Sequence, residues 1–434
     1  MARRRKYPPL EVRMNGEAVG QLERASGGNL RFSYATNWLQ APGALPLSVR
    51  FPLAKAPYSG DELDYWFGNL LPDRPESRQR MARTTGAASD STYDLLSAAG
   101  RDCIGALQLL EPGAAGDVRR IEGWPLDEAL VARHLRSVRT QPPGVQPGAA
   151  EFRISLAGAQ DKTALLLHED RWQIPLGATP STHLLKLPIG RLPNGYDLSS
   201  SVANEWLCLQ IARELGLRTP DTWIARFEDQ EVLVVERFDR RLATDGTWIV
   251  RSHQEDLCQA HGIGPTHKYE ADGGPGMLAC LELLSRSMEA QRDRLDFLRA
   301  QILYHWLAAT DGHAKNFSIH IHPGGGFEST PLYDIMSLWP LLKQKQVHRN
   351  EVRMAMGWRA CTHPYTWTEI RAEHYLETGR RAGLPTAAVT GLVEALREAV
   401  PQAIQRTEAR LPSDFPEQVA AAIFEGLRRM AGQT

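Results

Sequence analysis

The sequence predicts an α+β fold in which a β-rich lobe containing one helix is followed by an all-helical lobe, with a smaller α+β subdomain in front of both. Short apolar runs typical of strands dominate the middle of the chain. Apolar residues at helical spacing dominate from about His253 onward. A stretch rich in proline and glycine separates the first part of the chain from the rest.

That stretch, Gln141 to Ala150 (QPPGVQPGAA), marks the clearest domain boundary. Its three prolines and two glycines cannot continue a helix or a central strand. The sequence therefore predicts an N-terminal subdomain over residues 1–140, a linker over 141–150, a β-rich lobe over 151–240 and a helical lobe over 241–434.

In the N-terminal subdomain, alternating apolar residues predict strands over Leu10 to Leu22 and Leu45 to Leu53. Helical spacing predicts helices over Glu62 to Ala82 and Tyr93 to Ala99. The subdomain shows no pattern of catalytic residues.

The two lobes after the linker differ in the period of their apolar residues. Strands are predicted over Lys162 to His168, Trp172 to Leu176, Thr182 to Leu187, Thr222 to Phe227 and Glu231 to Glu236, with one helix over Ser200 to Leu215. Later helices are predicted over Met277 to Met288, Arg292 to Ala309, Trp367 to Arg381, Ala387 to Glu398 and Pro416 to Met430. This order is the two-lobed plan of protein kinases, although a fold alone does not establish an activity.

The composition of the 434-residue chain is that of an ordinary globular protein, with 42% hydrophobic and 23% charged residues. Lys plus Arg number 50 and Asp plus Glu number 51, so the whole molecule has no positive field that would attract nucleic acid. Contact with nucleic acid would need a local patch or another subunit.

The expected location is the cytoplasm. Met1 to Lys6 is basic, but Tyr7-Pro8-Pro9 follows where an export signal would need an apolar stretch. No run of 18 apolar residues predicts a membrane span. Five scattered cysteines without a CxxC pair suit a reducing compartment. The basic start is either a solvated tail or an arm that contacts phosphates.

The pattern that carries chemistry follows the predicted helix Arg292 to Ala309. Asp311 and Asn316 stand five residues apart in the loop Thr310 to Asn316 (TDGHAKN). This is the spacing of a kinase catalytic loop, in which Asp accepts the proton of the attacking hydroxyl and Asn binds magnesium. The sequence therefore predicts Asp311 as a catalytic base and Asn316 as a metal ligand.

Asp334 is predicted as the second magnesium ligand. Phe317 to Ile321 alternates like a strand, and the turn Pro323 to Gly326 is expected to return the chain as a hairpin to Leu332-Tyr333-Asp334. Asp334 would then lie at a strand end beside the loop. Each acid or amide alone also suits a turn or a helix cap, and only their joint order favours the catalytic interpretation.

Lys186 lies within the apolar strand Thr182 to Leu187, where a lysine is costly without a partner. We expect it to bind the α- and β-phosphates of ATP, and the alternative is a lysine that protects an edge strand from pairing. Glu205, near the start of the helix in this lobe, is a supporting residue that could pair with Lys186. The helix dipole alone would also account for a glutamate there.

Two further segments are assigned by their order along the chain. Ile154 to Thr163 is a small-residue turn placed where a kinase covers the phosphates, but its single glycine also suits an ordinary β-turn. Val232 to Glu236, followed by Arg237-Phe238-Asp239, would form the hinge that binds adenine. A buried strand that leaves its sheet would look the same.

With these segments assigned, the chain resembles the HipA family of bacterial toxin kinases over nearly its whole length. The motifs that carry the resemblance are Phe67 to Asp73 (FGNLLPD), Asp102 to Leu107 (DCIGAL), Ser155 to Leu165 (SLAGAQDKTAL), Thr182 to Pro188 (THLLKLP), Asn204-Glu205, Val235 to Arg240 (VERFDR), His253 to Gln259 (HQEDLCQ), Thr310 to Ile319 (TDGHAKNFSI) and Leu332 to Ser337 (LYDIMS).

The resemblance implies a serine/threonine kinase that uses ATP and Mg²⁺ and whose targets are aminoacyl-tRNA synthetases, so that phosphorylation stops translation and growth. It implies a helix-turn-helix antitoxin partner of the HipB type, through which operator DNA is bound. It also implies that Ser155 is autophosphorylated, which inactivates the kinase because a phosphate cannot remain where the phosphates of ATP bind. The residues expected to contact ATP are Ser155, Ala157, Gly158, Ala159, Gln160, Lys162, Lys186, Glu236, Phe238, His313 and Lys315.

Two other classes of function remain to be weighed against a protein kinase. A small-molecule phosphotransferase would use the same two lobes and transfer phosphate to a metabolite. A non-catalytic regulator would act by binding a DNA-binding partner, and its function would survive the loss of Asp311.

Overall fold

The computed structural model describes residues 7–25, 27–114, 116–140 and 160–433. No helix in these ranges is long and apolar enough to cross a membrane. The strands are β1 (Leu10–Met14), β2 (Glu17–Arg24), β3 (Leu30–Tyr34), β4 (Tyr58–Ser59), β5 (Leu107–Leu110), β6 (Gly123–Pro125), β7 (Lys162–His168), β8 (Arg171–Pro175), β9 (His183–Lys186), β10 (Gly190–Arg191), β11 (Asp197–Leu198), β12 (Thr222–Phe227), β13 (Gln230–Glu236), β14 (Arg240–Leu242), β15 (Ile249–Arg251), β16 (Gln254–Asp256), β17 (Ser318–Ile321) and β18 (Phe327–Ser329). The helices are α1 (Thr36–Gln40), α2 (Asp61–Gly68), α3 (Pro75–Thr85), α4 (Thr92–Ala99), α5 (Glu128–Thr140), α6 (Ser201–Glu214), α7 (Leu257–His261), α8 (Met277–Leu284), α9 (Ala290–Trp306), α10 (Trp339–Lys343), α11 (Ala372–Arg381), α12 (Thr386–Glu408) and α13 (Glu417–Gln433).

Two compact units share these elements. Unit 1 takes in residues 1–187, 225–266 and 319–327, and unit 2 takes in residues 188–224, 267–318 and 328–434. The chain therefore passes between the units several times. The proline-rich stretch Gln141 to Ala150 lies outside the described residues, and α5 before it and β7 after it both belong to unit 1. The domain limits drawn from that stretch stay a prediction.

The first sheet of unit 1 has the strand order β4-β3-β2-β1-β5. Its strands β1 and β2 are antiparallel and are joined by Asn15-Gly16, whose φ angles of 50° and 89° are those of a type I′ hairpin turn. This turn divides the single strand predicted over Leu10 to Leu22. Alternate residues of these strands and of β3, including Leu10, Val12, Leu22 and Phe32, are fully buried.

The strand predicted over Leu45 to Leu53 is wrong. The hydroxyl of Tyr34 donates to the carbonyl of Phe51 and accepts from the N–H of Leu47, each at 2.6 Å, so a side chain replaces a neighbouring strand as the partner of this backbone. The predicted helix Glu62 to Ala82 is also wrong as one element. It forms α2 and α3, because the segment between them contains a proline and a second proline begins α3.

The second sheet has the strand order β12-β13-β9-β7-β8-β6. The strands predicted after the linker are confirmed to within one or two residues. The edge strand β6 and the helix α5 were not predicted. A three-residue strand shows no period, whereas the buried Val131, Ala132 and Leu135 of α5 stand at helical spacing and were a usable signal. A hydrogen bond of 2.8 Å between His134 Nε2 of α5 and Thr163 Oγ1 of β7 holds the helix on this sheet.

A buried charge cluster joins the two sheets of unit 1. Asp102, which precedes β5, accepts hydrogen bonds from Arg240 at 2.9 Å and Arg237 at 3.3 Å. Asp239 accepts two from Arg237, at 3.0 and 2.9 Å. Arg251 Nε lies 3.9 Å from Asp102. All five side chains are buried, so each charge depends on its partners in place of water.

A second buried acid, Glu255, binds the segment 47–51, which Tyr34 also contacts. Its carboxylate accepts hydrogen bonds from Trp66 Nε1 at 2.6 Å and from the N–H of Val49 at 3.0 Å. Burial raises the pKa of Glu255 to about 7, although hydrogen bonds from Ser48, Trp66 and Val49 lower it. The folded protein therefore holds a proton on Glu255 at pH values where the unfolded chain has lost it.

We expect Glu255 to make the free energy of unfolding fall as the pH rises from about 4.5, the usual pKa of the residue, to about 7. Denaturant unfolding of wild type and Glu255→Gln at several pH values in this window would give the difference between their free energies of unfolding. Buried histidines contribute in the opposite direction but equally in both proteins, so their contribution cancels in this difference. Glu169→Gln, at an 83% exposed side chain, is the control. An identical pH dependence of wild type and Glu255→Gln would contradict the expectation.

Unit 2 is mainly helical. Helix α12 continues to Glu408, ten residues beyond its predicted end at Glu398, although it contains Pro401. The apolar face continues as well, because Val400, Ala403 and Ile404 are buried, and this burial offsets the hydrogen bond that proline cannot make. The helix predicted over Trp367 to Arg381 begins only at Ala372, because Arg371 before it has an extended backbone.

The range predicted as an all-helical lobe, residues 241–434, also contains the short strands β15 to β18. Three of them form a small sheet in the order β16-β17-β18. Segments of three or four residues are too short to show a strand period against a helical background.

Candidate active site

The loop after α9 places Asp311 and Asn316 side by side in unit 2. The Asp311 side chain is 46% exposed, whereas Asn316 is buried in a short 3₁₀ turn over Ala314–Asn316. Asn316 Nδ2 donates a hydrogen bond of 2.8 Å to the backbone carbonyl of Asp311. This bond fixes the orientation of the amide, so its oxygen Oδ1 is the atom that remains for a metal ion.

Helix α9 supports this loop through Gly312. A Cβ atom at Gly312 would lie 3.0 Å from Cδ1 of Tyr304, so a larger residue would push the loop or the ring apart by a few tenths of an ångström. Gln301 Nε2, also on α9, donates to the Gly312 carbonyl at 3.0 Å. The Asp-Gly pair is therefore packed against the protein core and is not an exposed turn.

His313 lies beside the predicted base. Its Nε2 is 3.5 Å from Oδ1 of Asp311, and its side chain is almost fully buried. Burial lowers the pKa of His313, although Asp311 raises it. The imidazole is therefore neutral at neutral pH and does not pair with Asp311 as a cation. Lys315 is buried, and its backbone carbonyl accepts a hydrogen bond from the Tyr333 hydroxyl at 3.2 Å.

The predicted return strand that ends at Asp334 is wrong. The strand that pairs with β17 is β18, which ends at Ser329, and Asp334 follows in an irregular segment with φ of 61°. A left-handed backbone is uncommon for residues other than glycine, although aspartate adopts it more readily than most, and the segment is held here by its neighbours. The N–H of Leu332 donates to the carbonyl of Arg218 at 2.7 Å. The other end of the segment is held at Ser337.

Asn204 of α6 provides that second anchor. Its Oδ1 accepts from the N–H of Ser337 and its Nδ2 donates to the carbonyl of Ser337, both at 2.8 Å. The Ser337 hydroxyl donates to the carbonyl of Leu307 at 2.6 Å. The Asn204-Glu205 motif thus positions the segment that carries Asp334.

We expect Asn204→Ala to loosen Asp334 and to raise the magnesium concentration needed for half-maximal activity by about tenfold, as for residues that support metal ligands elsewhere. A magnesium titration of phosphate transfer measures this effect. Asn194→Ala, in the exposed turn between β10 and β11, is the matched control. Equal magnesium requirements for Asn204→Ala and wild type would contradict the role.

Tyr304 lies close enough to both predicted acids for their charges to affect its pKa. Burial raises the pKa of Tyr304 well above its ordinary value, and Asp334 and Asp311 raise it further. Both carboxylates also act on His313. Asp311, which Asn316 contacts, and Asp334 thus act on the same two side chains of unit 2, and the roles of the three residues stay predictions.

In unit 1, Lys186 is 5% exposed and lies in β9, which pairs with β13 on one side and β7 on the other. It is therefore not in an edge strand, and that alternative is excluded. Lys162 of β7 lies directly opposite Lys186. Opposite residues of antiparallel strands project from the same face, and two like charges there are unfavourable unless an anion or an acid offsets them.

Comparison with known proteins gives the family. The family model described as the HipA-like C-terminal domain matches residues 154–404, and the HipA N-terminal domain matches residues 10–110. The chain belongs to the HipA family. The resemblance drawn from its motifs is confirmed, and the matched C-terminal region contains Asp311, Asn316, Asp334 and both lysines.

Individual relatives match most of the chain. "Putative kinase Y4mE" of Sinorhizobium fredii is 35% identical, over 92% of each chain. The serine/threonine-protein kinase toxin HipA of Shewanella oneidensis is 26% identical, over 76% of this chain and 75% of its own. A solved structure of HipA from Shewanella oneidensis, in complex with HipB and operator DNA, superposes with a TM-score of 0.81 at 23% identity, covering 97% of this chain and 96% of that one. The predicted two-lobed fold class is confirmed.

The remaining predicted ATP contacts of this HipA-family chain lie in unit 1. Gln160 Nε2 donates to the carbonyl of Leu187 at 2.7 Å, which ties the end of the predicted phosphate loop to β9. Glu236 is exposed at the end of β13, and the half-buried ring of Phe238 packs edge to face on His320 at 5.7 Å. Their roles stay predictions, as do those of Ser155, Ala157, Gly158 and Ala159, which lie outside the described residues.

The ion pair predicted between Glu205 and Lys186 also stays a prediction. Glu205 is buried in α6 of unit 2, whereas Lys186 belongs to unit 1.

Three residues near the acids of this HipA-family site were given no role from the sequence. They are Asn204, Tyr304 and Tyr269, whose hydroxyl donates a hydrogen bond to Asp311. Asn204 stands in a family motif, which was a usable signal. Tyrosines on a helix or in a loop have no spacing that distinguishes them from core residues.

Proposed function

We propose that this HipA-family protein is a serine/threonine-protein kinase toxin, which transfers the γ-phosphate of ATP to a protein and so inhibits translation and growth. The observation that carries the proposal is the grouping of Asp311, Asn316 and Asp334 around the end of α9. Kinase relatives at 35% and 26% identity support it.

The donor set in unit 2 fits magnesium. The Asn316 amide oxygen and the Asp334 carboxylate are hard oxygen ligands, which Mg²⁺ prefers. When bound, magnesium would neutralise charge on the phosphates of ATP. Asn316 would hold it with the amide orientation fixed by Asp311, and Asp334 with the segment fixed by Asn204.

Asp311 acts as the base. The hydroxyl oxygen of the target serine or threonine forms a bond to the γ-phosphorus of ATP as the bond from that phosphorus to the β,γ-bridging oxygen breaks. The hydroxyl proton passes to the Asp311 carboxylate, and ADP leaves with the bridging oxygen. His313, neutral and buried beside Asp311, keeps water from one side of the carboxylate.

Besides His313 and Lys315 of unit 2, the groups for the nucleotide lie in unit 1. Lys186 and Lys162, opposite each other on β9 and β7, would bind phosphates, which are the anions that such a pair of cations suits. Glu236 and Phe238 would bind adenine at the hinge. The loop from Ser155 to Gln160 would cover the phosphates, and autophosphorylation of Ser155 would inactivate the kinase.

The target and partners are proposed from the family. We expect an aminoacyl-tRNA synthetase as the target, and a helix-turn-helix antitoxin of the HipB type as the partner that contacts operator DNA. The complex of HipA with HipB and operator DNA from Shewanella oneidensis supports this partnership. The expected location is the cytoplasm, where translation takes place.

The test is incubation of the antitoxin-free protein and cell extract with ATP labelled in the γ-phosphate, in magnesium or in EDTA. Mass spectrometry then locates the label. We expect magnesium-dependent phosphate on Ser155 and on serine or threonine of a synthetase. Label only on a metabolite would favour the small-molecule phosphotransferase. No label in the extract, together with growth arrest when the protein is expressed in cells, would favour the non-catalytic regulator.

A further inference from the structure

Tyr269 contacts the proposed base from a segment to which the proposed mechanism gives no role. Its phenolic O–H donates a hydrogen bond to Oδ1 of Asp311. Its ring packs edge to face on His313, with ring centroids 5.0 Å apart and planes at 86°. His313 Nε2 lies 3.5 Å from the same Oδ1. One oxygen of the carboxylate therefore faces both neighbours, and among the described residues Oδ2 is left for a proton from the substrate.

The residue after Tyr269 anchors this segment firmly. The Glu270 carboxylate accepts hydrogen bonds from the N–H of Gly357 at 2.6 Å and from Arg359 Nη2 at 2.9 Å. The Glu270 N–H donates to the carbonyl of Ala355 at 3.2 Å. Side chain and backbone of Glu270 are thus both held within unit 2. The backbone next to Tyr269 is therefore anchored in unit 2.

The chemistry of the contact suits a general base. A phenol is a hydrogen-bond donor to a carboxylate and brings no positive charge. The neutral His313 on the same side brings none either. Among the described residues, Asp311 is held by the hydrogen bond from Tyr269, with the His313 imidazole beside the same oxygen.

We propose that Tyr269 is a positioning residue for phosphoryl transfer, whose hydroxyl holds Oδ1 of Asp311 so that Oδ2 faces the hydroxyl of the protein substrate. The role rests on the proposed kinase function. A carboxylate held at one oxygen cannot exchange its two oxygens by rotation, so the accepting atom stays in place through the reaction. Tyr269 touches neither the phosphates nor the metal ligands in this scheme.

The test compares Tyr269→Phe and Tyr269→Ala with wild type in the transfer of labelled γ-phosphate to casein and to the chain's own serines. If the hydroxyl acts as proposed, Tyr269→Phe lowers kcat by about tenfold, the effect of losing one hydrogen bond to a charged group. KM for ATP changes by less than about twofold, since nucleotide binding does not involve the hydroxyl. The kcat of Tyr269→Ala is expected to fall by at least the same factor.

The control is Tyr65→Phe, which removes a hydroxyl from a tyrosine that is 42% exposed in α2 and should leave kcat unchanged. Thermal unfolding of each variant checks that the fold is retained. Suppose that wild type is active. If Tyr269→Phe then shows a normal or raised kcat, or if only its KM changes, the role of the hydroxyl is overturned. Absence of transfer by wild type to either acceptor would instead overturn the kinase function, and this role with it.

Discussion

Replacement of Asp311 by asparagine is expected to lower the rate of phosphate transfer by about 10² to 10⁴, the usual contribution of a general base. Asparagine has the same shape, and its Oδ1 can still accept the hydrogen bond that Tyr269 donates to Asp311. The amide cannot take the proton of the attacking hydroxyl. The variant therefore tests proton acceptance with little change in the geometry of the loop.

The rate is measured as incorporation of labelled γ-phosphate under single-turnover conditions, together with growth arrest on expression. Asp221→Asn is the matched control, because Asp221 lies in unit 2 in a surface ion pair with Arg213 and its side chain is 68% exposed. Growth arrest that survives Asp311→Asn would favour the non-catalytic regulator. Transfer at the wild-type rate would remove Asp311 from the mechanism.

Replacement of Asp102 by asparagine is expected to have the largest effect on stability, lowering the free energy of unfolding of unit 1 by about 3–5 kcal/mol. Asp102 and Asp239 offset part of the charge of Arg237, Arg240 and Arg251 in the buried charge cluster. With three cations and two anions the cluster has a net charge of +1, and the variant raises it to +2. Water cannot reach these side chains to compensate.

The loss is measured by denaturant unfolding combined with hydrogen exchange of amides in β1 and β9, which lie in the two sheets that the buried charge cluster joins. Asp229→Asn, an exposed partner of Arg136 in the same unit, should change stability little. Burial alone would raise the pKa of Asp102, but the three guanidinium groups outweigh it and lower the pKa to about 2. The contribution of Asp102 should therefore be lost as the pH falls from about 4 to about 2.

Equal stability of Asp102→Asn and wild type would show that asparagine satisfies the surrounding arginines without its charge. The arginine that follows Glu236 belongs to this cluster. A fall in ATP affinity together with stability would therefore connect the N-terminal sheet with the predicted hinge.

The sequence by itself determined the local features of this protein. Asp311 and Asn316 were predicted as base and metal ligand by their spacing, because a kinase catalytic loop places its Asp and Asn five residues apart. The strands β7, β9 and β13 were found by their apolar runs, which a buried central strand requires. The HipA family was found by motifs whose order along the chain is preserved.

Only the tertiary structure decided how distant segments combine. Lys162 became the partner of Lys186 through strand register, Asn204 the anchor of Ser337 across unit 2, and Asp102 the counter-ion of arginines far along the chain. The strand predicted over Leu45 to Leu53 failed for the same reason, since a tyrosine hydroxyl from another strand took up its backbone. Periodicity reports which residues are buried, but the partner of a buried polar group depends on packing between segments far apart in sequence.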